Sequence, residues 1–314
     1  MIVSRAFALL FPSLLASITN LNYTIFVDDR GIPHLINTNE PEFTQAELSE
    51  LDESAQKTTF YLYTRNNPVV GQQLFTNNLD SVNNSFWNPD HPIRLVTHGW
   101  LGNSEQDICK LIRDAYLSVG DYNVILIDWR EVAKHLYVKA VRGMPLVSQR
   151  VALLIDFLEN NANLDPDRTT VIGFSLGGHV AGLSARFATS KIGAVVGLDP
   201  AGPAFELKGP GKRIDKSDAV LVQIIHTCTK FMGIKKAIGT SDFYLNGGGE
   251  QPGCDGPDAI QCSHSRAYLY YVESIGNPTG FRVGNVLMGG PSLDPNARGK
   301  FFLKTASQPP FALG

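Results

Sequence analysis

Short apolar runs alternate along this chain with longer stretches of helical periodicity, and this alternation restricts the fold more than any other feature. Five of the runs are predicted to be buried strands, at residues 93–96, 123–127, 169–172, 194–198 and 220–225. Helices are predicted between them, at residues 104–119, 147–158 and 178–187. Strands that alternate with helices favour a mainly parallel sheet with helices packed against it. The sequence therefore predicts one α/β domain.

The first of these helices carries start and stop signals. Ser104 and Asp107 have the spacing of a capping box, and Gly120 follows the last apolar position. A serine followed three residues later by an acidic side chain is typical of a helix N-terminus, and glycine is typical of a C-terminus.

Composition excludes several classes of protein. The 314 residues are 43% hydrophobic and 18% charged, which is enough apolar material for a large core and too little charge for a disordered chain. The 27 basic and 30 acidic side chains give a net charge of −3, so no basic field for nucleic acid is expected. Beyond the N-terminus no apolar run is long enough to span a membrane.

The N-terminus has the order of a secretory signal peptide. Arg5 precedes an apolar run at residues 6–16, and small and polar residues follow it. We predict a signal peptide over residues 1–16, with cleavage after Thr19 as an alternative, and a single domain over residues 17–314. A buried first strand or a short membrane anchor would give a similar pattern. Sequons at Asn22 and Asn83 fit a secreted, glycosylated protein.

The four cysteines are expected to form two disulfides in an oxidising compartment. Cys254 and Cys262 enclose seven residues and are predicted to pair, which leaves Cys109 for Cys228. The spacings do not match the paired knuckles of a zinc site.

A candidate nucleophile follows the third predicted strand. Ser175 lies in the sequence Gly-Phe-Ser-Leu-Gly, between a strand and a helix. A sharp turn at this place exposes the serine hydroxyl, and its crowded backbone requires the small residues Gly173 and Gly177. An ordinary tight turn is the alternative.

A serine hydroxyl needs a base, and the base needs a carboxylate that orients it. Asp199 ends the next strand, although an Asp-Pro turn there is an alternative role. In this architecture the histidine comes last along the chain, which leaves His226 and His264. We favour His264 because the Cys254–Cys262 loop would fix its approach, whereas His226 at the end of a strand suits a structural role.

The negative oxygen formed by attack on an ester needs two hydrogen-bond donors. One is expected to be the backbone N–H of Leu176, directly after the nucleophile. The second is assigned to the backbone N–H of Trp100, in the loop after strand 93–96, although Trp100 could also serve only in packing. His98 is interpreted as a structural residue of that loop.

Several motifs together resemble the animal pancreatic-type lipase family. They are Val-Thr-His-Gly-Trp at 96–100, Gly-Phe-Ser-Leu-Gly-Gly-His at 173–179, Gly-Leu-Asp-Pro-Ala-Gly-Pro at 197–203, Asp-Phe-Tyr-Leu-Asn-Gly-Gly at 242–248 and Cys-Ser-His-Ser-Arg at 262–266. The similarity runs from about Thr58 to Ala306. The resemblance implies an α/β-hydrolase fold, a triad of Ser175, Asp199 and His264, and oxyanion donors at Trp100 and Leu176.

Two departures from the longer members of that family affect the expected substrate. The chain stops about fifty residues after His264, as in insect-type members, so no C-terminal β-sandwich and no colipase-like partner are expected. The loop that corresponds to the family's lid has seven residues: Asp255, Gly256, Pro257, Asp258, Ala259, Ile260 and Gln261. Members with such short lids resemble phospholipases A1. Phospholipase A1 activity at a lipid surface is therefore expected, with a neutral triacylglycerol or diacylglycerol lipase and a non-catalytic, yolk-type lipid-binding protein as alternatives.

A neighbouring segment could also contact the membrane surface. Phe231, Met232 and Ile234 are apolar and lie among the lysines at 230, 235 and 236, although a solvated loop would have the same composition.

No metal or other cofactor is predicted to be required. Arg213, Asp215 and Asp218 resemble the family's structural calcium segment, but Pro210 stands where some members have a carboxylate.

Overall fold

The computed structural model describes residues 23–28, 31–38 and 42–314 of the chain. The predicted signal peptide, both cleavage positions and the sequon at Asn22 lie outside these residues. Asn83, the other predicted glycosylation site, ends a short helix and is exposed.

The described strands form one large sheet and two hairpins. Along the chain the strands are β1 (Tyr23–Val27), β2 (Pro33–Asn37), β3 (Thr59–Tyr63), β4 (Gln72–Leu74), β5 (Ile93–Thr97), β6 (Asn123–Asp128), β7 (Thr169–Phe174), β8 (Ala194–Leu198), β9 (Leu221–His226), β10 (Ser241–Leu245), β11 (Arg282–Val283), β12 (Val286–Leu287) and β13 (Gly299–Leu303). The sheet has the order β13-β10-β9-β8-β7-β5-β6-β3-β4. All its pairings are parallel except those of β3 with β6 and β4.

The described helices are α1 (Gln45–Gln56), α2 (Leu79–Asn83), α3 (Asp107–Val119), α4 (Arg130–Ala133), α5 (Tyr137–Ala162), α6 (Leu176–Phe187) and α7 (Ala259–Gly276).

The sheet separates two apolar cores, and alternate residues of each central strand point into one core or the other. On β5, Leu95 packs with helices α5 and α6 on one face, and Val96 packs with α3 and α7 on the other. Helices on both faces of a mainly parallel sheet confirm the predicted α/β-hydrolase architecture.

The five predicted strands are confirmed, with ends that differ by at most two residues.

The predicted capping box at Ser104 and Asp107 is wrong. Ser104 donates from its backbone and its hydroxyl to Asp128 at 3.2 and 2.9 Å, and α3 begins after Gln106 without a side-chain cap. The helix predicted at residues 147–158 is part of the longer α5, which contains Pro145, a residue that usually ends a helix. Among the described helices, none combines the length and the apolar character needed to cross a bilayer.

Candidate active site

The turn between β7 and α6 places Ser175 in a strained conformation. Its φ of 56° and ψ of −124° are rare for a residue with a side chain, and such strain is typical of functional turns. A Cβ on Gly173 would lie 2.0 Å from the carbonyl oxygen of Gly177, so no larger residue fits at that position. Ser175 therefore lies at the carboxyl edge of the sheet, directly before the first residue of α6.

Asp199 lies at the same edge, directly after β8. Its Oδ1 accepts hydrogen bonds from the backbone N–H groups of Thr227 and Cys228, at 2.9 and 3.1 Å. Its Oδ2 lies 2.6 Å from Nδ1 of His264. The three contacts hold a buried carboxylate against one imidazole nitrogen, which is an orienting role and not that of a simple Asp-Pro turn.

His264 lies in the second turn of α7, packed against the ring of Phe174 with centroids 4.4 Å apart. Because Nδ1 donates to Asp199, the lone pair of this imidazole is on Nε2. That nitrogen is buried and has no hydrogen-bond partner among the described residues. A partnerless buried nitrogen costs stability, and one that lies beside a nucleophile can receive its proton.

His226, the other candidate for the base, belongs to a separate pair. Its Nε2 donates to Oδ1 of Asp242 at 3.0 Å, and its Nδ1 donates to the carbonyl of Ile234 at 3.1 Å. The ring stacks on Tyr244, with centroids 4.1 Å apart. Since both nitrogens are engaged by acceptors within the fold, neither is placed to take a proton from Ser175.

Both predicted oxyanion donors border the nucleophile. Leu176 is the first residue of α6, where a backbone N–H has no partner within the helix. Trp100 follows Gly99, at which an added Cβ would lie 3.1 Å from Cβ of Ser175, so this loop passes directly against the serine. The Trp100 indole donates to the carbonyl of His135 at 2.8 Å, which fixes the loop from its other side.

His98 holds the same loop in place, as its structural interpretation requires. Its Nδ1 donates to the carbonyl of Gly99 at 2.9 Å, and its Nε2 accepts from the backbone of Trp129 at 3.1 Å. Asp128 lies beside it and accepts hydrogen bonds from Arg130. Burial alone would raise the pKa of Asp128, but its contacts with His98 and Arg130 outweigh burial and hold that pKa well below its ordinary value.

Sequence reasoning did not assign a role to His179, which ties the nucleophile helix to its neighbours. Its Nε2 donates to the carbonyl of Ala201 at 2.8 Å, and its Nδ1 accepts from the backbone of Ile214 at 3.3 Å. Complete burial lowers the pKa of His179 to about 3, so the ring is neutral near neutral pH.

Cys254 and Cys262 form a disulfide just before the turn that carries His264. Of the seven enclosed residues, Asp255, Gly256, Pro257 and Asp258 are an exposed loop, and Ala259, Ile260 and Gln261 begin α7. The predicted pairing of Cys109 with Cys228 is wrong. The two thiols are buried in the cores on opposite faces of the sheet, and Cys228 Sγ lies 3.5 Å from the carbonyl of Ile260.

The predicted membrane segment contributes less apolar surface than expected. Phe231 is exposed, but Met232 and Ile234 are buried in the core, so neither can contact a lipid surface. Lys230 forms an ion pair with Glu250 at 2.6 Å.

The segment that resembles a calcium site forms ion pairs within the chain. Arg186 lies 3.3 Å from Asp218, and Arg213 lies 3.6 Å from Asp215. Burial raises the pKa of Asp218 to about 6. In the part of the chain that the structure describes, no group of three or more acidic, histidine or cysteine side chains is placed to hold a metal.

A cleft of about 580 Å³ adjoins the site, lined by Gly31, Gln106, Asp107, Ile108, Phe174, Asp258, Gln261, Cys262, Ser265 and Tyr268. Phe174 connects it to the ring of His264.

The profile of the family described as Lipase matches residues 31–285, most of the chain. The chain belongs to the Lipase family. The match contains Ser175, Asp199, His264 and both predicted oxyanion donors, and it confirms the family resemblance drawn from the motifs.

Two curated relatives of this lipase-family chain are pancreatic proteins of mammals. It is 34% identical over 250 residues to pancreatic triacylglycerol lipase of Myocastor coypus, a match that covers 73% of this chain and 54% of the relative. It is also 34% identical to human pancreatic lipase-related protein 2, with 71% of this chain and 52% of the relative covered. The chain thus spans about half the length of these relatives.

Among solved structures, an α/β hydrolase from a Medee basin deep-sea metagenome library is similar to this chain at a TM-score of 0.34 and 19% identity. The match covers 79% of this chain and 76% of that one.

Proposed function

We propose that this chain is a secreted serine ester hydrolase that releases fatty acids from glycerolipids, acting on the sn-1 ester of phospholipids in the manner of a phospholipase A1. The observation that carries the proposal is the 2.6 Å contact between Asp199 and His264, with Nε2 of His264 buried and unpartnered and its ring packed on Phe174, the residue before Ser175. Secretion is supported by the Cys254–Cys262 disulfide, because such bonds persist in oxidising compartments.

In the proposed mechanism Nε2 of His264 removes the proton of Ser175 as its oxygen attacks the ester carbonyl. Asp199 keeps the proton of His264 on Nδ1 and stabilises the imidazolium that forms. The negative oxygen accepts hydrogen bonds from the backbone N–H groups of Trp100 and Leu176. His264 then gives its proton to the leaving lipid alcohol, water attacks the acyl-enzyme with His264 as base, and the fatty acid is released.

The phospholipid preference is supported by the short loop between Cys254 and Cys262. The exposed part of this loop has four residues, and three of them are Asp255, Gly256 and Asp258. Such a loop offers little apolar surface to an oil droplet. Short lids of this kind resemble those of phospholipases A1. Triacylglycerol hydrolysis is the second candidate, favoured by the name of the relative from Myocastor coypus.

Product analysis by mass spectrometry tests both candidates. The purified protein is mixed with phosphatidylcholine vesicles and, separately, with a triacylglycerol emulsion, and Ser175→Ala is the control. We expect 2-acyl lysophospholipid and free fatty acid from the vesicles, and no product from the variant. Hydrolysis of the emulsion alone would replace phospholipase A1 with the neutral lipase. No product from either lipid, or equal product from Ser175→Ala, would overturn the proposed function.

A further inference from the structure

Strands β1 and β2 form an antiparallel pair that lies over the candidate active site, and we refer to this pair as the N-terminal hairpin. The ring of Phe26 on β1 lies among the rings of Trp100, Tyr137 and His264, with centroid distances of 5.6, 5.2 and 6.1 Å. On β2, His34 contacts Trp100 edge-on at 4.9 Å. The hairpin therefore contacts both the proposed base and the loop that carries an oxyanion donor.

Phe26 occupies space that a substrate needs. An ester that reacts with Ser175 must place its carbonyl oxygen at the backbone N–H of Trp100 and its leaving oxygen near His264. Phe26 packs against the side chains of both residues and is itself only 3% exposed, and Ser175 and His264 are 3% and 1% exposed. In this position the hairpin therefore covers the site on the side of Trp100 and His264.

The hairpin is attached to the domain by side chains and not by strand pairing. Within the described residues β1 and β2 pair with each other and with no strand of the large sheet. Its own contacts include the His34–Asp28 ion pair at 3.0 Å and the hydrogen bond from the backbone of Ile32 to Asp28, also at 3.0 Å. The hairpin can therefore leave the site as a unit without breaking these internal bonds.

The outer face of the hairpin is apolar. Directly opposed residues share a face, so Phe26 and His34 point inward together, and Ile25 and Leu35 point outward together. The positions on this side are Tyr23, Ile25, Pro33, Leu35 and Asn37, of which only the last is strongly polar. Leu35 is 62% exposed and Tyr23 is 38% exposed, whereas Val27 at the end of β1 packs against the core. A strand pair with one solvated face normally carries polar residues there. An apolar outer face above a site for lipid esters fits a lipid surface.

We propose that the N-terminal hairpin is the lid of this enzyme. When it is closed, Phe26 fills the substrate space beside Trp100 and His264. At a lipid surface the outer face of the hairpin binds among the acyl chains, Phe26 withdraws, and Ser175 becomes accessible. This inference rests on the proposed function, and it gives the enzyme a cover that the short Cys254–Cys262 loop cannot provide.

The reactivity of Ser175 toward a small soluble organophosphonate tests the lid in the full chain, with and without phosphatidylcholine vesicles. If the open state is a minor population, the vesicles should accelerate labelling of the wild-type protein by at least about tenfold. Phe26→Ala should be labelled at that faster rate without vesicles. Leu35→Ser should match the wild type without lipid but respond less to vesicles. Phe301→Ala, a matched loss of a phenylalanine far from the site, should behave like the wild type.

Equal labelling of the wild type and Phe26→Ala under both conditions would overturn the lid. Labelling of no variant, with the wild type indistinguishable from Ser175→Ala, would instead overturn the proposed function. The emission of a solvatochromic dye attached at Leu35→Cys separates the two failures, because it does not depend on catalysis, and Cys109 and Cys228 are too buried to react with the dye. Vesicles should shift this emission to the blue as the outer face enters the lipid, and an unchanged emission would contradict the lid on its own.

Discussion

Two buried pairs of histidine and aspartate stand near the carboxyl edge of the same sheet, and their contacts differ in one decisive respect. His226 donates from both ring nitrogens, to Asp242 and to the carbonyl of Ile234. His264 donates from Nδ1 to Asp199, and its buried Nε2 has no partner among the described residues. The first pair completes the hydrogen bonding of a folded loop, whereas the second leaves one nitrogen unsatisfied in a ring that packs on Phe174, the residue before the strained Ser175.

Among the four histidines that the fold buries almost completely, His264 alone has a ring nitrogen without a partner among the described residues. His98 and His179 are also buried, and each has a partner at both nitrogens. A buried polar atom without a partner reduces stability, and folded proteins retain such atoms mainly where function requires them.

The largest predicted effect is on turnover by matched variants of the two histidines. His264→Gln should lower kcat for ester hydrolysis by about 10⁴- to 10⁶-fold, because glutamine cannot take the proton of Ser175. His226→Gln retains an amide donor for Asp242 and should stay within about tenfold of the wild type. Steady-state kinetics with phosphatidylcholine vesicles measures both. Comparable losses in the two variants would remove the distinction between the pairs.

Replacing the carboxylates should give the next largest difference. Asp199→Asn should lower kcat by about 10⁴-fold, because the amide no longer holds the proton of His264 on Nδ1. Asp242→Asn should act mainly on stability, since Asp242 also accepts hydrogen bonds from the backbone of Ile238 and Gly239. The same kinetic assay, with a guanidinium denaturation curve for each variant, separates the two effects. A fall in kcat of similar size for a well-folded Asp242→Asn would contradict this assignment.

For stability the order of the two histidines should reverse. His226→Ala removes one partner of a buried ion pair and leaves the carbonyl of Ile234 without its donor, which should cost about 3–5 kcal/mol. His264→Ala should cost less, because it also removes a nitrogen that was buried without a partner. Denaturation midpoints provide the measurement. A larger loss for His264→Ala would mean that its unpartnered nitrogen carries no energetic penalty.

A smaller difference between the two histidines comes from the Cys254–Cys262 disulfide. It constrains the segment before His264, whereas Cys228, near His226, forms no disulfide. Replacing both Cys254 and Cys262 with serine should lower the free energy of unfolding by roughly 2–3 kcal/mol, the value expected for a closed loop of this length. The control is the wild type measured under a reducing agent, which should show the same loss. An unchanged midpoint in both would show that the bond does not form in solution.

The smallest effect concerns pH and the fully partnered His179. Its pKa of about 3 in the folded state lies below the ordinary value of 6.5, so the unfolded chain binds a proton more readily. This contribution to stability is complete well above pH 6.5 and falls as the pH drops toward 3, and between pH 7 and pH 5 the loss is roughly 2 kcal/mol. Denaturation curves at pH 7, 6 and 5 should therefore show a shallower decline for His179→Gln. Identical slopes would mean that His179 is protonated in the folded protein.

Much of the candidate site could be predicted because its signals are local in the sequence. Ser175 lies in a five-residue motif between a strand and a helix, and Asp199 directly follows the next strand. Position along the chain left His226 and His264 as candidates for the base, and His264 was favoured because it follows the Cys254–Cys262 loop. The physical reason for it, a nitrogen without a partner, is visible only in the folded contacts.

Other features depend on contacts between distant residues, which the sequence does not display. The pairing of Cys109 with Cys228 was inferred by elimination, and it failed because the two side chains enter different faces of the sheet. The hairpin over the site was not predicted, since the contact of Phe26 with His264 joins residues that are far apart in the chain. Strand β1 has only five residues, and its sequence does not indicate which part of the domain it packs against.

The most direct test of the account maps an organophosphonate adduct by peptide mass spectrometry, in the presence of phosphatidylcholine vesicles. The proteins to compare are the wild type, His226→Gln and His264→Gln. We predict an adduct on Ser175 in the wild type and in His226→Gln, and almost none in His264→Gln. An adduct on another residue, or one that persists in His264→Gln and disappears in His226→Gln, would contradict the assignment of Ser175, Asp199 and His264 as the catalytic triad.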